Sequence, residues 1–394
     1  MKRTLLLLGV LHAGAAFAGD VIASRAELES YLAAHTSSPL DALSPGARER
    51  FLVSLTFGRA GIDGLDASDL MDELDDTQIH AVLALFGPRA LDVAPPSHAA
   101  DTRGVEKRVR EPGAIGALER RYNFYYAATR AIDREATDLQ QAAMLGALFD
   151  AQLATAFEKA ALRKADDHEL RLLRAAARRV ALATGLPAPI DAFRAVFAER
   201  VRRGLVSGDD ANTLRNLHLI RHRMADARGV ARTYPLAQLA PLPAFVDSPG
   251  AAAPSVWRFS ADGRTLTRAT LDLAPLQILV TVDSAPSREL ATAVSADPVL
   301  APLFERRASW LTRAPGVEDI EAVRDWNRGF PRAQAVMVYD RSEWPVIPDW
   351  RPARIHIVRG GATIETFDGW DGSSASRDAL NQLLRRHGFL PGRE

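Results

Sequence analysis

Apolar residues recur every three to four positions through most of residues 20–228, then every second position or in short unbroken runs through most of residues 256–394. The first period is that of one helix face and the second that of a strand, so the chain reads as a helical part followed by a strand-rich part. Ser24 with Glu27 forms a capping-box signature ahead of Leu28, Tyr31 and Leu32. A second helix is expected from Pro45 to Phe57, broken by Gly58, Gly61 and Gly64. Two short helices, Asp66 to Leu74 and Thr77 to Phe86, close at Gly87-Pro88. Residues 88–113, with Pro95-Pro96, read as a loop. Five longer helices follow: Ile115 to Ile132, Thr137 to Arg163, Asp167 to Thr184, Ile190 to Arg203 and Asp209 to Ala227. Gly185-Leu186-Pro187 and Gly204 to Gly208 punctuate them as glycine caps and prolines do. No repeat of fixed length is evident, so an irregular helical bundle is expected.

Between residues 229 and 255 the composition shifts to proline and alanine, with Pro235, Pro241, Pro243, Pro249 and Pro254, and the main domain boundary is placed there. Val256 to Leu273 reads as a β-hairpin turning at Ala261-Asp262-Gly263. Gln277 to Val282, QILVTV, is continuously apolar, the pattern of a strand covered on both faces. A helix from Arg288 to Val294, a strand from Arg307 to Leu311, a helix from Val317 to Trp326 and a strand from Ala333 to Tyr339 follow. After the turn-rich Arg341 to Asp349 come Pro352, a strand over Ala353 to Val358, a Gly360-Gly361 turn, a strand over Thr363 to Phe367, and a helix over Ser376 to Arg386.

Proline, strand, glycine turn, strand, helix, preceded by alternating strands and helices over residues 275–390, resembles the thioredoxin-like family. Periodicity and the composition shift give an all-α irregular helical bundle domain (19–228) and a linker (229–255), and the resemblance implies that a leading β-hairpin and a thioredoxin-like α/β domain (256–394) follow. It implies a cis proline at Pro352, with Pro348 as the rival position, bordering a substrate groove. It also sets Ser284-Ala-Pro-Ser287 where the family carries C-x-x-C. An alignment beginning at Pro286 or Ser287 is equally open, as is a plain helix-capping role for the serines. Trp344, Trp350 and Arg351 precede Pro352, and these residue types favour binding surfaces. The alternative is that both tryptophans cover the sheet.

The chain contains no cysteine. Thiol-disulfide exchange, a thiolate nucleophile and a thiolate metal site are therefore excluded. Lysine plus arginine equals aspartate plus glutamate at 49 each, so no net basic field recruits nucleic acid. The opening MKRTLLLLGVLHAGAAFA has the charged, apolar and A-x-A regions of a signal peptide cleaved after Ala18. A periplasmic or secreted product without a membrane span is expected. Asp63, Asp66, Asp69, Asp72, Asp75 and Asp76 lack calcium-loop spacing and read as caps and solvated faces. Tyr122 to Tyr126 reads as core aromatics. His218 and His222 stand four apart, a spacing that on one helix face can hold a metal, but without the glutamate of the zinc-protease motif. The sequence thus favours an exported, redox-inactive module that binds protein partners in the cell envelope and needs no cofactor. The alternative is a hydrolase or metal enzyme using Ser284 and Ser287 or His218 and His222.

Overall fold

The computed structural model describes residues 21–59, 61–93, 115–135, 138–248, 250–282, 285–350 and 353–391. The signal-peptide segment lies outside them. The protein is a mixed α/β chain that divides into two compact units, residues 1–116 and 117–394.

In the first unit, α1 (Arg25–Ala34), α2 (Pro45–Ser54), β1 (Thr56–Gly58), β2 (Gly61–Gly64), α3 (Ser68–Glu73), α4 (Asp76–Ala84) and α5 (Pro88–Val93) enclose a core of Leu28, Phe51, Leu55, Ile62, Leu70, Val82 and Phe86. The helix expected to reach Phe57 ends at Ser54, and the glycines that break it shape an antiparallel β1–β2 hairpin. Gly61 has φ +100°, open to glycine at little cost. The acidic run is absorbed by structure. Asp75 caps α4 in a box with Gln78, Asp63 pairs with Arg89 at 2.9 Å, and Asp69 takes two bonds, 2.9 and 2.6 Å, from the buried Arg50 guanidinium.

The second unit begins with α6 (Ala117–Glu135), α7 (Asp138–Leu153), α8 (Lys159–Lys164), α9 (Asp167–Thr184), α10 (Pro187–Arg203), α11 (Gly208–Ile220) and α12 (Met224–Thr233). The helix expected over Thr137 to Arg163 is two helices with a 3₁₀ turn at Ala154–Phe157 between them. Tyr122, Tyr125, Phe149, Ala177 and Phe193 share one core, so the Tyr122 to Tyr126 cluster packs inward apart from the exposed Phe124. Asp210, fully buried, ties three helices by accepting from Arg174 of α9 at 2.8 Å and Arg200 of α10 at 3.3 Å. Burial pushes its carboxyl up, but the two guanidinium groups win and hold it below the usual carboxylate range.

The same unit continues with β3 (Ala244–Val246), β4 (Ser255–Phe259), β5 (Thr265–Thr270), β6 (Gln277–Thr281), α13 (Ala285–Ala296), α14 (Leu300–Arg307), β7 (Ala308–Thr312), α15 (Ile320–Gly329), β8 (Ala335–Val338), β9 (Arg354–Arg359), β10 (Ala362–Phe367) and α16 (Ser374–Arg386). They build one eight-stranded mixed sheet in the order β10-β9-β6-β7-β8-β4-β5-β3. β6, β7 and β8 are parallel, and β9 returns antiparallel on the other side of β6. Two elements lie where the sequence pattern is silent. β3 sits in the proline-rich stretch and pairs parallel to β5 at the sheet edge. α14 carries Pro302 in its first turn, where a missing N–H breaks no helical bond.

One face of the sheet, with Ile278, Val280, Trp310, Met337 and Ile357, packs on Leu290 of α13, Phe304 of α14, Val323 of α15 and Leu384 of α16. Leu219 of α11 and Ala227 of α12 belong to that same core. The other face, with Leu279, Leu311, Val336, Val338 and Val358, is covered by Trp344, Val346, Ile347 and Trp350. Among the described residues, no helix is long and apolar enough to cross a membrane.

Candidate functional site

Among the described candidates, Ser287 stands on α13, the helix that follows β6, and Trp350 shortly precedes β9, the strand that pairs with β6. β9 starts antiparallel at the carboxyl end of β6, with Arg354 opposite Thr281 and the Ala353 N–H donating to the Thr281 carbonyl at 2.9 Å. Ala353 turns into the strand with φ +60°. Ser284, Arg351 and Pro352 lie outside the described residues, and with them the expected cis bond and the register of the C-x-x-C-like serines. Among the described residues, a cis X–Pro bond occurs at Ala253–Pro254.

Ser287 is fully buried in the first turn of α13, so its hydroxyl meets no solvent. Trp344 and Trp350 are 1% and 3% exposed, with ring centroids 6.3 Å apart at 81°, on the sheet face of Leu279 and Val338. Both indoles cover the sheet, and neither is offered to a partner at the surface.

Beneath them lies a polar group that the sequence reading missed. Arg354, on β9, forms ion pairs with Asp349, and with Asp368 at 2.5 Å. Two residues on, His356 is 1% exposed, with Nδ1 3.1 Å from Thr366 Oγ1 on β10. Burial, seconded by the Arg354 cation, pushes the imidazole down to about 4, so it is neutral near pH 7. The alternation in RIHIVR was visible, but a polar alternate face reads as solvent-facing unless something covers it. Here the Trp344–Trp350 segment covers it. Chemically, the group fastens the chain before β9: a charge-balanced guanidinium and a neutral imidazole supply anchoring rather than a nucleophile.

The histidine pair is the second candidate, and its expected geometry is corrected. The helix expected from Asp209 to Ala227 stops at Ile220, and His222 has φ +54°. The His222 N–H donates to the Leu219 carbonyl and the Arg223 N–H to the His218 carbonyl, both at 2.9 Å. This is the helix-ending pair of bonds that usually centres on glycine. Histidine in its place gives no sequence signal of a stop. The two imidazoles therefore do not share a helix face. His222 stacks on Tyr339, centroids 4.2 Å apart and planes 2° from parallel, with Nε2 3.4 Å from Asp340 Oδ2. Arg268 Cζ lies 3.5 Å from the same ring centroid, which sterically requires the opposite face. Arg268 is held in turn by Ser255 Oγ at 2.9 Å and Glu343 at 3.0 Å. The His222 ring and the Ser342 donors hold the Asp340 carboxyl far below the usual range against its partial burial. His218 stays half-buried on α11, its imidazole pushed down by burial and by the Arg194 and Arg223 cations. Among the described residues, no group of three or more His, Asp or Glu side chains could hold a metal.

No family model, curated protein or solved structure matches the chain. The functional reading therefore rests on the residues themselves.

Proposed function

We propose that the chain is an exported, redox-inactive protein-binding module of the cell envelope, with a thioredoxin-like order of elements in the C-terminal third of the chain. Three features support the reading. Strand, two helices, parallel strand, helix, parallel strand, antiparallel hairpin and helix follow one another from β6 to α16. The chain has no cysteine with which to perform thiol chemistry. The first eighteen residues have the composition of a cleavable signal.

The observation that carries protein binding is the position of β10. Among the described residues it is the outermost strand of the sheet and pairs only with β9, so one row of its backbone groups faces outward. Its register slips between Thr363 and Glu365, which leaves Ile364 outside the ladder and 45% exposed. An open strand edge with an apolar side chain beside it suits an extended segment of another protein, added as a further strand.

A photo-crosslinking side chain placed at Ile364 in the exported protein tests this in cells. A small recurrent set of envelope proteins captured from position 364 and not from exposed Val299 on another part of the fold is expected, and Ile364→Lys should abolish the partner's retention. Equal capture from both positions would remove the edge from the proposal. N-terminal sequencing of the mature protein is expected to begin at Gly19, and a retained Met1 would remove export.

A further inference from the structure

A different part of the second unit carries a second site. α10 and α11 enclose a cleft of about 210 Å³. Its floor is apolar, formed by Ile190, Leu214 and Leu217, and its rim carries Arg194, His218, Arg221 and Arg223 against the single carboxylate of Asp191. Arg194 reaches Asp191 only at 3.6 Å, and Arg223 is turned to Asp226 at 2.6 Å. No carboxylate pairs with Arg221 among the described residues. The left-handed His222 is what places Arg221 and Arg223 together here: it ends α11 at the rim and bends the chain back, so that residues on both sides of it line the same cleft.

We propose that this cleft binds a small organic anion, one carboxylate on a compact apolar body. Among the described residues Arg221 has no carboxylate of its own and stands with Arg194 and Arg223 against an apolar wall, and a ligand carboxylate supplies the missing counter-charge in a geometry that arginine matches with two parallel bonds. A cavity of about 150 Å³ takes a benzene, so this one takes an apolar body of about five or six carbons beneath the charged head. Binding is also linked to protons. His218 faces Arg194 and Asp191 of α10, Arg221 and Arg223 of the turn, and Asp226 of α12; burial, seconded by the Arg194 and Arg223 cations, pushes its imidazole below the ordinary range. A bound carboxylate beside the ring offsets those cations and favours the protonated imidazole, so the complex takes up a proton and affinity rises as pH falls through the histidine range.

Titration calorimetry and amide NMR of the mature chain with hexanoate, hexanamide and hexylamine test the site. Saturable hexanoate binding is expected, with shifts at Leu214 and His218 and none at Ile364. Hexanamide should bind at least tenfold more weakly and hexylamine not at all. Arg194→Gln with Arg221→Gln should weaken hexanoate at least tenfold without lowering the melting temperature, and Arg221→Gln alone, at the exposed rim, serves where the pair does not fold. Lowering the pH from 8 to 6 should tighten hexanoate in the parent and not in His218→Gln. Equal binding of acid and amide, full retention in the arginine variants, or no saturation into the millimolar range each overturns the proposal.

Discussion

On one face of the sheet Ile278, Val280, Trp310 and Ile357 meet helices α13–α16, and on the other Leu279, Leu311, Val336 and Val358 meet one irregular segment, Trp344–Trp350. A helix satisfies its own backbone, so what it lays on a sheet is almost wholly apolar. An irregular segment brings unsatisfied carbonyls and amides with it, and the sheet must answer them. Thr363 Oγ1 donates to the Val346 carbonyl at 2.6 Å, Arg354 holds Asp349, and the Ser255 hydroxyl and Arg268 hold Glu343. The polar side chains of β4, β5, β9 and β10 are thus the fastenings of a cover that cannot fasten itself.

The strongest way to break this contrast is to remove a large side chain from each face. Trp344→Ala and Leu290→Ala should each destabilise the protein by about 3–5 kcal/mol, measured by urea unfolding. They should differ in kind. Native-state hydrogen exchange should show the tryptophan variant opening first along residues 341–350 and β10, and the leucine variant losing protection across the sheet together. Uniform loss in both would show that the two covers are one cooperative layer.

The next test uses the proton. The folded chain keeps His356 neutral down to about pH 4, whereas the unfolded chain protonates it near its ordinary value of about 6.5. Between those two pH values the unfolded state binds the extra proton, so stability falls as pH falls, by about 3 kcal/mol in all. His356→Gln should flatten that slope, measured as urea midpoints from pH 7 to pH 4. An unchanged slope would place the acid sensitivity elsewhere.

The smallest expected effect separates a fastening from a surface pair. Asp349→Asn takes one of two carboxylates from the mostly buried Arg354 and should cost about 2 kcal/mol. Asp325→Asn, facing Arg328 on the exposed side of α15, should stay within about 0.5 kcal/mol. Equal losses would mean that the loop-covered face is no more dependent on charge than the open surface.

Much of the architecture was legible in the sequence because it is local. The α9 span is read off Asp166, Glu169 and Gly185, which cap it at both ends, and the β9–β10 hairpin off Gly360-Gly361. What was not legible depends on neighbours distant in sequence. Trp344 and Trp350 have the composition of a binding surface, and only the sheet beneath them decides that they are core. His222 has nothing in its flanks to announce a left-handed helix end; Tyr339, more than a hundred residues away, holds it there. β3 has three residues and prolines on both sides, too little pattern to see without β5 to pair with.

That short strand has a consequence for the continuity of the chain. The stretch expected to tether two domains is sewn into the second unit: Ala244–Val246 is bound to β5, Arg215 donates to the Ala240 carbonyl at 2.8 Å and Arg228 to the Pro243 carbonyl at 3.2 Å. Leu219 and Ala227 are buried against the sheet, and His222 lies on Tyr339. A single cut between Ala240 and Pro243 would therefore leave two fragments that still share a core. The helices and the sheet are the two halves of a clasp, and the link between them is held by contacts as well as by the covalent chain.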